Sequence, residues 1–480
     1  MRASYLPTTL LASALALAAA PAAAQDREQP PAAGPLRPYV VPQVHDFRLA
    51  NGVRVVVVPQ PTLPIVSGRI ILNAGAVYEP AEKNGLAALT GNLLDEGAQG
   101  ITGPELAQRM EQLGAQFSTG AGQATAFASV SAVKGVFPDA LELAARTVRA
   151  PTFPEAEFTR VRNESVAAHV QALASVEGLS SEAFWRAVFE SSAPYARRSQ
   201  GTRESLPRIT RDDVLAWHRR MFAPGNATLL LVGAVTVDEA RQWAERALGA
   251  WSGQAPQLSP VANPARAVQG TRVILVDRPG SVQSGVWVGQ ASLGAADPNF
   301  VPMQALSQVL GGGFKARINM NLRERHGWTY GAFTAFAPLD RAGVFAISSS
   351  VRTNATDSAL VEMVGEYRRI AAEEVPAEEL RNAVGNIVGS FPSSVQTVQS
   401  LAGRVEQILI YGLPLDYLAT YRERLAGVTP QAVAALARAH LRPDALTIVV
   451  AGDLAAIEAP IRALNLGTVE VWDAAGNQVR

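Results

Sequence analysis

Arg323 and Tyr330 stand seven residues apart in the run LGGGFKARINMNLRERHGWTYGAF, residues 310–333. A guanidinium and a phenol both donate hydrogen bonds, so the two on one surface could bind one peptide carbonyl or one carboxylate. The elements that must position them are legible in the same run. Gly311, Gly312 and Gly313 supply a backbone loop with conformations closed to other residues. The segment after them, with Ile318 and Leu322 on helical spacing, predicts an amphipathic helix that carries Arg323. A turn at Gly327 leads into a β-rich run, residues 328–333, with Tyr330 near its start. A helix–turn–strand corner of this kind folds both side chains onto one surface. On spacing alone the plainer reading, a surface arginine and a half-buried strand tyrosine, is the stronger one.

The chain has 480 residues, too many for one ordinary core, and two to four units are expected at roughly 100–200 residues each. Basic and acidic residues balance at 42 each, so no net field favours nucleic acid, and that class of function is disfavoured. Residues 1–24 carry Arg2, an apolar stretch over residues 10–20, and Ala22, Ala23 and Ala24 before Gln25. That order of charge, apolar core and small residues predicts a cleaved signal peptide, and with it a periplasmic destination. No later stretch reaches about 18 uninterrupted apolar residues, so no membrane span is expected in the mature chain. With zero cysteines, disulfides and thiolate zinc sites are excluded.

Residues 25–43, rich in Pro and Ala, read as a flexible lead-in with little to bury. Residues 47–59 predict a hairpin turning at Asn51-Gly52, followed by a strand over 65–72. Helices are expected over 84–94, 104–113, 138–148, 154–173, 182–190 and 211–221, with two strands within 116–132 and another over 227–232. The chain then repeats itself: residues 209–233 align without a gap on residues 428–452, and in both a Thr-capped helix leads through a proline to a strand ending in glycine. Residues 113–132 correspond more loosely to HGWTYGAFTAF followed by GVFAISSSV, which places Phe117 opposite Tyr330. A repeat this long implies two similar domains, 44–250 and 271–475, joined by a linker at 251–270. The fold class is therefore α+β, with two homologous domains, each a mostly antiparallel sheet with helices packed on one face.

The repeat, the opening LANGVRVVVVP, the helix NGLAALTGNLLDEGA and the corner LRERHGWTYGAF together resemble the insulinase and pitrilysin family of zinc metallopeptidases. The resemblance runs over about residues 44–470. In active members a helix bears His-x-x-Glu-His, two zinc ligands and the base that activates water. The positions matching that motif here are Ala88, Gly91 and Asn92, none of which can do that chemistry. The family's third ligand, a glutamate, maps to the helix where this chain has Ala167, Ala168 and His169, with Glu164 about one turn early. The five histidines, His45, His169, His218, His326 and His440, are scattered, so no metal site is expected; a hydrogen-bonded or solvated His169 is the stronger reading of that residue.

The second half, by contrast, keeps the family's Arg/Tyr pair as Arg323 and Tyr330. The resemblance implies that Tyr330 donates to the oxyanion of a peptide intermediate and that Arg323 orients the substrate or supports the same charge. Gly311, Gly312 and Gly313 would form a substrate-binding loop at the mouth of the chamber, with a flexible helix lead-in as the equal alternative. A chain with the pair and without the zinc helix is what a split peptidase requires of one subunit. The expected partner is a zinc-bearing homologous subunit, with no cofactor in this chain, zinc on the partner, and peptides as substrates. The alternative is a non-catalytic scaffold or peptide-binding protein of the same fold.

Overall fold

The computed structural model describes residues 40–259, 261–262 and 264–480. The expected signal segment and most of the lead-in lie outside the described residues. The first sheet begins with the expected hairpin: His45–Arg48 (β1) pairs antiparallel with Arg54–Pro59 (β2). Gly52 makes the turn at a φ of 95°, a conformation that favours glycine. Ile65–Leu72 (β3), Gln116–Ala121 (β4), Ala126–Val133 (β5) and Ala227–Gly233 (β6) complete a six-stranded sheet in the order β1-β2-β6-β3-β5-β4. Only the β2/β6 pair is parallel.

The second sheet is built from Arg272–Asp277 (β7), Gln283–Leu293 (β8), Ala332–Pro338 (β9), Ala342–Arg352 (β10), Thr447–Gly452 (β11) and Thr468–Trp472 (β12). Its order is β9-β10-β8-β11-β7-β12. Its five central and edge strands β7-β11-β8-β10-β9 thus repeat β2-β6-β3-β5-β4 one for one, which is the repeat read from the sequence. The two copies of its most regular stretch fold alike. Helix Arg211–Met221 is capped by the Thr210 hydroxyl and helix Pro430–His440 by the Thr429 hydroxyl, and each feeds a strand, β6 or β11. A hydroxyl accepting an orphan N–H of the first turn fixes where each helix starts.

The helices that matter to the site are Leu86–Asn92 (α1), Phe137–Arg149 (α2), Glu155–Ala172 (α3), Val176–Val188 (α4), Val237–Leu248 (α5), Phe300–Gly311 (α6), Thr356–Ala372 (α7) and Val398–Ile410 (α8). Successive residues of a strand face opposite sides, and β3 shows what each side meets. A Cβ on Gly68 would lie 2.7 Å from the Phe137 ring of α2, whereas Arg69 reaches Glu406 of α8 at 2.9 Å. One face of the first sheet therefore carries helices of its own half, and the other carries α8 from the second half.

The second sheet returns the exchange. Val176, Leu179, Phe184 and Val188 of α4 form one core with Ile274, Val344, Val449 and Trp472, and Phe184 stacks on Trp287 at 5.0 Å. Each half lends a helix to the other's sheet, and residues Val40–Arg480 form a single compact unit. Burying a helix face this way makes the two sheets mutually dependent for stability.

The pair at the first of these contacts gives a stability test. Arg69 is stacked on Phe127 at 3.7 Å and paired with Glu406, whose carboxyl is pushed up by burial and pulled back by Arg69. Both side chains keep some solvent, so Glu406→Ala should cost about 2–3 kcal/mol, below the ~3–5 kcal/mol of a fully buried pair broken on one side. Arg69→Met with Glu406→Leu, which leaves no charge behind, should recover most of that loss in urea unfolding.

Candidate functional site

The first-half helix that the zinc motif would occupy is α1. Its N-terminus is held by Glu79, whose carboxylate accepts N–H groups from Gly85 (2.9 Å) and Ala87 (3.0 Å) and the Asn84 amide (2.9 Å). Burial is the largest influence on Glu79 and pushes its pKa up to about 7, against the downward pull of those donors and of Arg197. A carboxyl raised in the fold contributes stability that is complete below its unfolded value near 4.5 and is lost as pH rises through about 7. Comparing wild type with Glu79→Gln from pH 4 to pH 8, the wild type should lose roughly 3 kcal/mol relative to the variant, at 1.36 kcal/mol per unit. Paired urea titrations at each pH would read it.

Along α1, Ala88 and Gly91 are buried and Asn92 is half-buried. Position 91 has no room for a side chain. A Cβ there would sit 2.4 Å from the Gly120 carbonyl carbon and 2.6 Å from the Ala121 nitrogen, both backbone of β4. Strand and helix have closed onto the place a catalytic glutamate would fill.

Below α1 lies a cleft of about 440 Å³ lined by Asn92, Asp95, Glu96, Glu164, His169 and Arg198 among others. Its acids are already engaged. Arg160 bonds Glu157 at 2.7 Å and Glu164 at 2.8 Å and also holds Glu96, and these three partners raise its own pKa. Burial pushes Asp95 up. His169 is buried and doubly committed: its Nδ1 accepts the Arg203 N–H at 2.8 Å, and its Nε2 meets the Glu182 carboxylate at 3.3 Å. It is a hydrogen-bonded histidine bridging α3 to α4. Two zinc ligands and a base are thus replaced by a methyl, a hydrogen and an amide, and no group of three or more His, Cys, Asp or Glu side chains among the described residues is arranged to hold a metal ion. These residues do not fit zinc.

The Arg323/Tyr330 corner in the second half is built differently from the helix and strand expected. The three glycines do not open the following helix. Gly311 is the buried last residue of α6, Gly312 caps it, and the loop starts at Gly313. The reason is close approach, since a Cβ on Gly311 would lie 2.4 Å from the Thr334 nitrogen of β9. The expected amphipathic helix is a single turn, Arg317–Asn319, continued by a π-helical stretch, Met320–Arg325, that contains Arg323. The strand begins at Ala332, after Tyr330.

Polar side chains take over the backbone groups ahead of that strand. Asn319, fully buried, accepts the Ala332 N–H at 3.1 Å and donates to the Phe314 carbonyl at 2.8 Å. Thr329 donates to the Ser350 carbonyl at 2.7 Å and accepts from the Gly331 N–H at 3.1 Å and the Ser349 hydroxyl at 3.0 Å. The Trp328 N–H bonds the Leu322 carbonyl at 3.0 Å. Tyr330 is therefore framed by hydrogen bonds on both sides while its own side chain is 92% exposed.

The Tyr330 hydroxyl has no hydrogen-bond partner among the described residues. It borders a cleft of about 580 Å³ that also takes in Trp287, Phe333 and Ser348. Arg323 does not line this cleft. Its guanidinium lies 5.0 Å over the Phe314 ring, which meets Phe333 edge-on at 6.0 Å, and pairs with Glu324 at 3.2 Å. An exposed pair of that kind is worth ~1 kcal/mol or less, so Arg323 is cheaply released to a ligand. Phe314, Met320 and Phe333 are themselves exposed around the corner. Asn319, Thr329 and Phe314 were not singled out from sequence, although the Thr and Gly flanking Tyr330 are a local turn signal.

Residues 54–192 match the insulinase family, peptidase family M16, and residues 208–387 match the family's second model, the peptidase M16 inactive domain. The chain belongs to the M16 family. A solved structure of a peptidase M16 inactive domain from Pseudomonas fluorescens superposes with a TM-score of 0.80 at 28% identity, covering 86% of this chain and 98% of that one. A protease from Helicobacter pylori shares the fold, with a TM-score of 0.79 at 19% identity over 85% of this chain and 99% of that one.

Among curated M16 relatives, a Helicobacter pylori protein called non-peptidase homolog YmxG is 20% identical over 81% of this chain and 89% of its own length. An uncharacterized zinc protease of Rickettsia bellii is 23% identical over 70% and 80%. Chains of this fold thus carry both kinds of description, and membership alone does not decide activity. This M16 chain lacks the zinc motif. No helix among the described residues is long and apolar enough to cross a membrane.

Proposed function

We propose that this chain is the zinc-free subunit of a periplasmic, heterodimeric M16 metallopeptidase. It lends Arg323 and Tyr330 to peptide hydrolysis at a zinc site on a homologous partner. The observation that carries the reading is the contrast between the two halves. At the first, the backbone of β4 fills the place of the catalytic base. At the second, a phenol 92% exposed is carried on a backbone bonded on both sides and has no hydrogen-bond partner among the described residues.

Such a tyrosine adds little to the packing of its own chain, which supports a role toward something outside it. A donor that a bound peptide or partner holds toward a developing oxyanion contributes most in the transition state, and the bonded backbone fixes where this phenol starts from. Arg323, released from Glu324, supplies a forked donor for a peptide carbonyl or carboxylate. The exposed Phe314, Met320 and Phe333 beside them offer the apolar contact area that a partner subunit or a peptide would cover. The loop leading away from Gly313 lies at the same corner and is assigned to the substrate side.

The test on the chain alone is direct. After gel filtration, metal analysis should find no stoichiometric zinc, and the purified chain should cleave no peptide from a mixed library. One tightly held zinc per chain would overturn the reading.

A further inference from the structure

A second cleft, of about 460 Å³, opens on the other side of His169 and Arg198, which it shares with the blunted cleft. It lies between the end of α3, the side of α4, the loop over residues 196–208 and the C-terminal residues 474–477. Five arginines line it, Arg186, Arg197, Arg198, Arg203 and Arg208, against three glutamates.

Those glutamates do not satisfy the arginines. Glu182 is shared between His169 at 3.3 Å and Arg198 at 3.5 Å, and Glu204 pairs with Arg203 at 3.2 Å. Arg197 and Arg198 are half-buried, and their Nε–H groups, shut off from solvent, have no acceptor, so the outer N–H groups of these side chains are the ones a ligand in the cleft can reach. Arg197 makes no ion pair among the described residues, and burial lowers its pKa, with Glu79 and Glu82 offsetting only part of that. A buried guanidinium N–H without an acceptor is costly, and adjacent arginines present forks that match the two or three oxygens of a carboxylate or phosphate. The backbone holds the pair in place: the Asn84 amide bonds the Arg198 carbonyl at 2.9 Å and the Gln123 amide the Arg197 carbonyl at 3.4 Å.

We propose that this arginine cleft is a binding site for an oxyanion, held by Arg197 and Arg198 at its floor and Arg203 at its rim. The shared chemistry is a carboxylate or phosphate group, brought either as a free ion or as the carboxyl end of a peptide. The site is independent of the Arg323/Tyr330 corner and requires no partner subunit.

Calorimetric titration of the full mature chain tests it with three probes. They are inorganic phosphate, the peptide acetyl-Ala-Ala-Ala with a free carboxyl end, and the same peptide as its amide. Saturable binding of phosphate identifies a free oxyanion as ligand; binding of the acid peptide but not the amide identifies a peptide end. In either case Arg197→Gln and Arg198→Gln should each weaken binding roughly tenfold or more, the factor carried by one lost charge-assisted hydrogen bond. Arg203→Gln, at a side chain mostly in solvent, should weaken it about threefold and keeps the test open if a half-buried substitution fails to fold. Arg246→Gln, in the separate pair with Asp139, should change nothing. No saturable binding of any probe to wild type, or binding unaltered in the folded Arg197, Arg198 and Arg203 variants, would overturn the proposal.

Discussion

Tyr330→Phe, combined with a wild-type zinc-bearing partner, should lower peptide turnover by about 10²–10³ in kcat while leaving the complex intact. The substitution removes one hydroxyl and nothing else. Because Tyr330 is 92% exposed and its hydroxyl makes no hydrogen bond among the described residues, the variant should unfold at the same urea concentration as wild type. The effect should fall in kcat and kcat/KM alike, the pattern of an interaction made only in the transition state. Arg323→Ala should place a larger share in KM if the guanidinium chiefly positions the peptide. Thr329→Val is an informative companion. It removes the bonds to Ser350, Ser349 and Gly331 that frame Tyr330, so it should lower turnover without touching the phenol.

The second large effect is expected where the motif is rebuilt. Ala88→His, Gly91→Glu and Asn92→His together restore His-x-x-Glu-His in letters, and the protein should neither hold zinc nor keep its stability. A Cβ at position 91 would meet the backbone of Gly120 and Ala121 at 2.4 and 2.6 Å, so β4 must move outward rather than a side chain turn aside. Overpacking of this sort costs about 1–3 kcal/mol, and burying the new carboxylate adds several more, so a total of about 3–6 kcal/mol is expected. The third acidic ligand would still be missing, since Glu164 is largely exposed and paired with Arg160. Gly91→Ala alone should show the steric part of the loss in urea unfolding. A triple variant of wild-type stability retaining one zinc through gel filtration would contradict this account of the site.

The parts of the fold that sequence discloses are those fixed by local chemistry. Helix Arg211–Met221 lies where it was read, because Thr210 starts it with a capping box and a strand follows soon after Pro224. The repeat emerged because both copies of that unit carry the same cap, proline and final glycine. Less was legible where a distant group decides the outcome. The strand after Tyr330 was expected from residue 328 but starts at Ala332, since Thr329 and the buried Asn319 take backbone groups that a ladder would otherwise use.

The glycines at 311–313 read as a loop by composition, yet Gly311 is a helix residue because β9 passes too close for any side chain. A helix was expected over 182–190 and runs instead over Val176–Val188, begun by the Ser175 hydroxyl. Nothing in its sequence showed that it would cover the sheet of the other half. At the candidate site, the missing donors at 88, 91 and 92 were evident as letters. The closure of β4 onto Gly91 and the exposure of Tyr330 were not, because both depend on backbone placed by residues far away in the chain.

The central claim, that this chain completes a peptidase it cannot be alone, is tested most directly by one turnover measurement. A homologous chain bearing His-x-x-Glu-His is assayed against a fluorogenic peptide alone, with wild-type partner, and with the Tyr330→Phe partner, the complexes being confirmed by sedimentation. The account predicts little turnover alone, strong turnover with the wild type, and a loss of about 10²–10³ with the variant. Equal turnover from the two complexes would contradict it and leave the chain a scaffold of the same fold.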